Sequence, residues 1–345
     1  MATHDKGPMD QLSAHLDRAW DLVARGDFAG AMKSAEKSLE IDETAPEVHN
    51  LMGYIRAQEG RAEEAIEHYE RAIELDESFV EAMLNAAEVK LHPLRDWDGA
   101  IALVDEALDW IEDPEESADA ALLKIDALLG KGDREGAIAA VRALPEGPFE
   151  SPAISFSLGR ARFETGDVEG AEPWLRSAAE KDPKNAEAHY YLGLVLQERG
   201  DARAASISFL HARDAELRAP ARPTLVAPEQ FERRVQGAIR KLPAHAAPVI
   251  EGALVIIGDL PGAEVVAEGV DPRIPVLLDD LSPEGEPARV GRLFVYQRNV
   301  ERPANGGAEI EDEIVRAIVD ELEHVFPELR SGPGTPVGDA ASKPN

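Results

Sequence analysis

The chain contains no cysteine, and aromatic residues make up only 5% of its 345 positions. Without thiols there is no disulfide framework, no thiolate metal site and no cysteine nucleophile. No apolar run approaches the length needed to span a membrane. The opening Met-Ala-Thr-His-Asp-Lys lacks the apolar stretch that a signal peptide needs. Positive charge is also scarce: 36 Lys and Arg stand against 67 Asp and Glu, giving a formal net charge of −31 and a pI near 4.6. Such a field repels phosphate backbones and anionic lipid, so neither nucleic-acid binding nor membrane insertion is expected. The acidity serves solubility or selects a basic partner, and the composition leaves both open. A cytoplasmic, soluble protein is the expectation. Phosphate-binding glycine loops, a Gly-x-Ser-x-Gly elbow and a Cys/His cluster are all missing from the sequence.

What is present is a period. Ala31, Ala65, Ala100, Ala137, Ala171 and Ala205 recur at gaps of 34–37 residues, and Gly26, Gly60, Gly132, Gly166 and Gly200 each stand five residues before one of them. That spacing predicts helical hairpins over residues 12–217, about six in number, which bury their apolar faces only by stacking. In the second, Gly53 lies in the first helix, Glu59-Gly60-Arg61 makes the turn, and Ala65, Tyr69 and Ala72 mark the second helix. The fifth repeats this with Gly159, Ala171, Leu175, Ala178 and the helix stop at Pro183, and the sixth with Gly193, Ala205, Phe209 and Ala212. In the third, Leu91-His-Pro-Leu-Arg-Asp-Trp97 replaces the glycine turn, and the fourth lacks the aromatic.

These residues resemble the tetratricopeptide repeat over about three fifths of the chain. The resemblance implies a superhelix whose inner groove takes a protein or peptide segment. Groove positions carried onto this chain are Leu16, Trp20, Val23, Asn50, Tyr54 and Asn85, then Leu122, Asp126, Phe156, Arg160, Phe163 and Tyr190. Trp20, Phe156 and Phe163 fit packing between hairpins equally well. The asparagine slots of the subfamily that grips chaperone carboxylates hold Trp20, Tyr54, Val89, Asp126, Arg160 and Leu194, so that clamp is not expected.

Three prolines across 218–228 predict an extended, semi-rigid linker. Beyond it the texture changes. A helix is expected over Glu229–Leu242, strands over Leu254–Ile257 and Leu293–Gln297, a weaker strand over Val276–Leu278, and a last helix over Glu309–Phe326. Residues 229–330 thus read as a small α+β domain, flanked by a disordered tail, 331–345, as 1–11 is at the other end. In the last helix Ile310, Ile314, Ile318, Leu322 and Val325 mark the buried face, with Glu321 inside the apolar arc and His324 at its border. A carboxylate there needs a partner, and helix-edge pairing is the plain account.

Residues 231–329 also resemble the minimal zincin-like metallopeptidases. The resemblance rests on Leu242-Pro243, Asp259-Leu-Pro261, Tyr296-Gln-Arg-Asn-Val-Glu-Arg302 and the stretch Asp320-Glu321-Leu322-Glu323-His324. In that family the helix carries His-Glu-x-x-His, two zinc-binding histidines with a glutamate as general base. Here Glu321 and His324 are retained, and Asp320 stands in place of the first histidine. Pro327 takes the family's glycine position and Leu329 the acidic one, with Glu328 one residue early. The expectation is a non-catalytic zincin-like domain with no cofactor, attached to a scaffold that binds a partner peptide. The alternative is a zinc peptidase with Glu321 as base and Asp320, His324 and Glu328 as ligands.

Overall fold

A computed structural model describes residues 8–145, 147–220, 224–283, 285–304 and 306–330. The tail 331–345 and residues 1–7 of the first segment lie outside the described residues, as do 221–223 of the expected linker. The chain divides into two compact units, Met1–Asp182 and Pro183–Asn345.

The described part of the first unit is built from five hairpins: α1 (Pro8–Ala24) with α2 (Phe28–Leu39), α3 (Pro46–Gln58) with α4 (Ala62–Leu75), and α5 (Val80–Leu91) with α6 (Trp97–Leu108). Then follow α7 (Pro114–Lys131) with α8 (Arg134–Ala143), and α9 (Pro152–Thr165) with α10 (Val168–Lys181). Residues 8–11, expected to be disordered, are helical. Proline suits the first turn of a helix, and Leu12 buries against the core of the first two hairpins.

The periodic alanines are the close-approach points, and Ala31, Ala65, Ala100, Ala137 and Ala171 have no exposed surface at all. Gly53 faces Tyr69 so closely that a Cβ there would lie 2.7 Å from the ring. The turn glycines 26, 60, 132 and 166 all have positive φ, from 75° to 93°. In the third hairpin Arg95 takes that left-handed position with φ 54°, which is why the turn works without glycine. The following aspartate then caps the second helix: Asp27, Asp96, Asp133 and Asp167 each accept a bond from the backbone N–H three residues on. Arg61 stands at that position in the second hairpin and supplies no side-chain cap.

The second unit opens with one more hairpin, α11 (Ala186–Glu198) and α12 (Ala202–Arg218). It continues through α13 (Pro228–Lys241), β1 (Leu254–Gly258), α14 (Ala263–Ala267), β2 (Val276–Leu281), β3 (Val290–Tyr296), α15 (Gln297–Glu301) and α16 (Ile310–Val325). The strands form one sheet of order β1–β3–β2, with β1 parallel and β2 antiparallel to β3. Ile256 and Leu277 both register with Phe294. Phe231, Val235 and Ala238 of α13 and Ile310, Ile314, Ile318 and Leu322 of α16 bury against Leu293, Val295, Val276 and Leu278 of the sheet. Each large apolar side chain buried in this layer contributes roughly 1.5–3 kcal/mol.

The compact boundary therefore falls one hairpin earlier than the expected limit at 217. The reason is polar: α11 and α12 are bonded to the α+β elements that follow them. The segment after α12 is not wholly an extended linker either. Val226 is buried in the α+β core, its carbonyl accepts a bond from Gln297 Nε2 at 2.9 Å, and Leu225 N–H donates to Glu301 at 3.0 Å.

Candidate functional site

In the first unit, the first helices of successive hairpins present one polar wall. Asn85 of α5 donates from Nδ2 to Asn50 Oδ1 at 3.0 Å, and Asn50 of α3 donates from Nδ2 to Glu81 Oε1 at 3.0 Å. This amide chain locks both side chains, and Asn50 is only 2% exposed. Beside it, Trp20 and Tyr54 meet with ring centroids 5.4 Å apart. Two cavities adjoin along the wall and share Asn85 and Glu88. One, of about 220 Å³, is lined by Tyr54, Gln58, Tyr69 and His92 as well. The other, of about 350 Å³, adds Leu84, Asp119, Leu122, Asp126, Ser157 and Arg160.

Charge within the larger cavity is partly settled. Arg160 Nη2 donates to both oxygens of Asp126, at 2.8 and 2.9 Å. Glu88 and Asp119 have no ion-pair partner among the described residues. Although Asp119 is an exposed residue overall, neighbouring atoms desolvate its carboxyl enough to raise its pKa.

Of the positions expected to face the groove, Tyr54, Asn85, Leu122, Asp126 and Arg160 come together here, with Trp20 against Tyr54. Leu16 and Val23 pack instead against the core of the first two hairpins. Asn50 works from beneath, and Phe156 and Phe163 are half-buried. Glu88 and Asp119 were not anticipated, yet each lies three residues from an expected position, Asn85 or Leu122, on the same helical face.

Tyr190 has a different setting, inside the second unit. Its hydroxyl donates to Asp271 Oδ2 at 3.1 Å, and the Arg273 guanidinium carbon sits 3.8 Å from its ring centroid. Burial and the Asp271 carboxylate push the phenol pKa up. Arg273 forks onto Glu187, with Nη1 to Oε2 at 2.9 Å and Nη2 to Oε1. Arg302 pairs with Glu216 and, at 3.7 Å, with Glu187, while Arg213 Nε donates to the Pro261 carbonyl at 2.6 Å. The groove face of α11 is thus filled by its own unit.

On α16, Asp320 and His324 are exposed, and Glu328 is exposed on the single 3-10 turn that follows, Pro327–Arg330. Glu321 is half-buried; burial raises its pKa and nearby His324 opposes that shift. No three His, Asp or Glu side chains among the described residues stand close enough to hold a metal ion. Asp320 lines a cleft of about 400 Å³ with Glu313 and with Arg273, Arg302 and Arg316, whose guanidiniums pair with Glu187, Glu216 and Glu313, so the cleft gathers ion pairs and not a histidine-rich donor set. These residues do not fit a zinc centre.

A family model described as TPR repeat matches residues 53–91 and 159–200. No curated protein sequence matches the chain. Among solved structures, PilF of Pseudomonas aeruginosa is similar with a TM-score of 0.51 at 16% identity, over 62% of this chain and 96% of that one. PilW, a type IV pilus biogenesis factor, gives 0.48 at 17% identity over 59% of this chain and 92% of its own. YrrB, described as a TPR protein with an unusual peptide-binding site, gives 0.42 at 19% identity over 54% and 93%. At 16% identity the likeness to PilF speaks for the fold alone. The class is settled at that level: a mostly helical chain of tetratricopeptide hairpins, followed by a small α+β region with a three-stranded sheet. No helix among the described residues is long and apolar enough to cross a membrane.

Proposed function

We propose that the chain is a cytoplasmic interaction protein whose first unit holds an extended peptide segment of a partner in the groove beside Asn85. The observation that carries this reading is the pair of adjoining cavities, backed by an amide chain that is already immobilised. A rigid wall binds a peptide with less ordering cost than a mobile one. Tyr54 supplies the amphipathic anchor such sites favour. The test is selection of a displayed random heptapeptide library on the full chain. Enrichment that disappears with Tyr54→Ala, while the helical circular dichroism persists, is the expected result; enrichment unaffected by Tyr54→Ala would count against the groove.

The α+β region is, on this proposal, a zincin-like fold that contacts a partner without hydrolysing it. Asp320 in place of histidine and the guanidinium-lined cleft beside it support that reading. A hydrolytic reading with Glu321 as base draws on one observation, the burial that raises its pKa. Elemental zinc in the purified protein separates the two: about one zinc per chain, lost on His324→Ala, would favour the hydrolase.

A further inference from the structure

We propose that the groove of the first unit is selective for arginine: a guanidinium of the bound segment seats between Tyr54 and Glu88, with Asp119 at the edge of the same wall. This rests on the peptide-groove reading above and deepens it.

The first support is charge. Of the three carboxylates lining the larger cavity, only Asp126 has a countercharge among the described residues, supplied by Arg160. Glu88 and Asp119 therefore leave the wall with two uncompensated negative charges. A desolvated carboxylate such as Asp119 gains most when a cation arrives. Anionic segments are excluded by the same field.

The second support is an arginine already seated on an equivalent surface. Tyr190 in α11 stands where Asn50 stands in α3: each lies three residues before the glycine, Gly193 or Gly53, that an aromatic of the second helix approaches within 3 Å of a virtual Cβ. On that face Arg273 lies over the Tyr190 ring and forks onto Glu187. One aromatic ring and one carboxylate make the seat. In the first unit Tyr54, four residues after Asn50, and Glu88 of the next hairpin line a single cavity and offer the same two residue types in another register. Planarity explains the preference for arginine over lysine, because only a guanidinium can stack on the ring and still donate in parallel to both carboxylate oxygens.

The experiment titrates the full-length chain with acetyl-Ala-Ala-Arg-Ala-Ala-amide and with its lysine and citrulline counterparts, following the Asn85 side-chain amide by NMR. Citrulline keeps the shape and removes the charge. The arginine peptide is expected to bind at least about tenfold more tightly than the citrulline peptide, with lysine between them. In the Glu88→Gln/Asp119→Asn double variant, arginine should fall to the citrulline level. Both carboxylates are at the surface, and retained helical circular dichroism with a cooperative unfolding transition will show that the variant is folded. Equal affinities for arginine and citrulline overturn the proposal, as does arginine binding that survives the double variant, or no shift with any peptide. A heptapeptide selection that enriches uncharged motifs and still depends on Tyr54 would sink the arginine seat and leave the groove standing.

Discussion

Arg273 sits over the ring of Tyr190, 3.8 Å from its centroid, and holds Glu187 by two hydrogen bonds. The two residues are 83 positions apart (273 − 190) and join the last hairpin to the loop before β2. The Arg273 side chain is 12% exposed and that of Glu187 42%, so solvent screens the pair in part. A partly buried cation–π contact is worth about 1 kcal/mol, and charge-assisted hydrogen bonds about 1.5–3 kcal/mol.

Arg273→Ala should therefore lower the stability of the second unit by about 2–3 kcal/mol, since it removes the ring contact and leaves Glu187 with only the more distant Arg302, 3.7 Å away. Urea unfolding followed by far-UV circular dichroism measures this. Limited proteolysis should then cut between α12 and α13 in the variant before the parent. An unchanged midpoint would mean that apolar packing alone holds the hairpin to the sheet.

Arg95 is a second local test. It holds the left-handed turn position that glycine takes in neighbouring hairpins, with φ 54°. A side chain with a Cβ pays about 1–2 kcal/mol for that conformation, part of which glycine returns through its freer unfolded chain. Arg95→Gly should stabilise the first unit by about 0.5–1 kcal/mol, seen as a higher denaturation midpoint. The reverse change, Gly132→Ala at φ 82°, should cost a similar amount. Arg95→Gly leaving the midpoint lower would show that the arginine side chain compensates for its backbone.

The repeats were legible because their chemistry is local and periodic. The buried alanines recur every 34–37 residues, most with a turn glycine and a capping aspartate at fixed offsets before them, and each acts within its own hairpin. The strands were legible as short apolar runs, and β3 proved longer because Val290 to Arg292 continue the ladder with β2. The attachment of α11 and α12 to the α+β elements was not legible. It is made by Glu187, Glu216, Arg273 and Arg302, charged residues that carry no period and look like ordinary surface. Val226 was hidden for a related reason: prolines around it predict an extended segment, and nothing local says that its side chain reaches a core. Within the groove, Asn85 and Tyr54 followed from the repeat register, whereas the uncompensated state of Glu88 and Asp119 depends on which cations stand near, a tertiary property.

His49 and His68 give the first unit an acid sensitivity. Their rings are 5.8 Å apart, and His49 Nδ1 is buried without a hydrogen-bond partner among the described residues. Burial lowers both pKa values below 6.5, assisted by Arg71 at His49 and by His49 and Arg56 at His68, with Glu64 opposing. The unfolded chain then binds protons at a pH where the folded chain does not. Stability is fully present above about 6.5 and is lost as pH falls through that value toward the folded pKa. Denaturant midpoints should drop between pH 7.5 and 5.5, and His68→Gln should flatten part of that drop. A midpoint that rises on acidification would reverse the assignment.

Glu321 is expected to show the opposite sign. Its carboxyl is half-buried on α16, and burial raises its pKa above 4.5 more than His324 lowers it. Between 4.5 and the folded pKa, the folded chain therefore holds a proton that the unfolded chain has released. The contribution to stability is greatest below 4.5 and declines as pH rises through this window, leaving a poorly solvated charge at neutral pH. Glu321→Gln keeps the shape and removes the charge, so it should stabilise the second unit at pH 7 and match the parent near pH 4. Measuring both midpoints at the two values of pH checks the sign directly. If Glu321→Gln is destabilising at pH 7, the carboxylate is held by a cation in the folded chain, and the sign of the assignment is reversed.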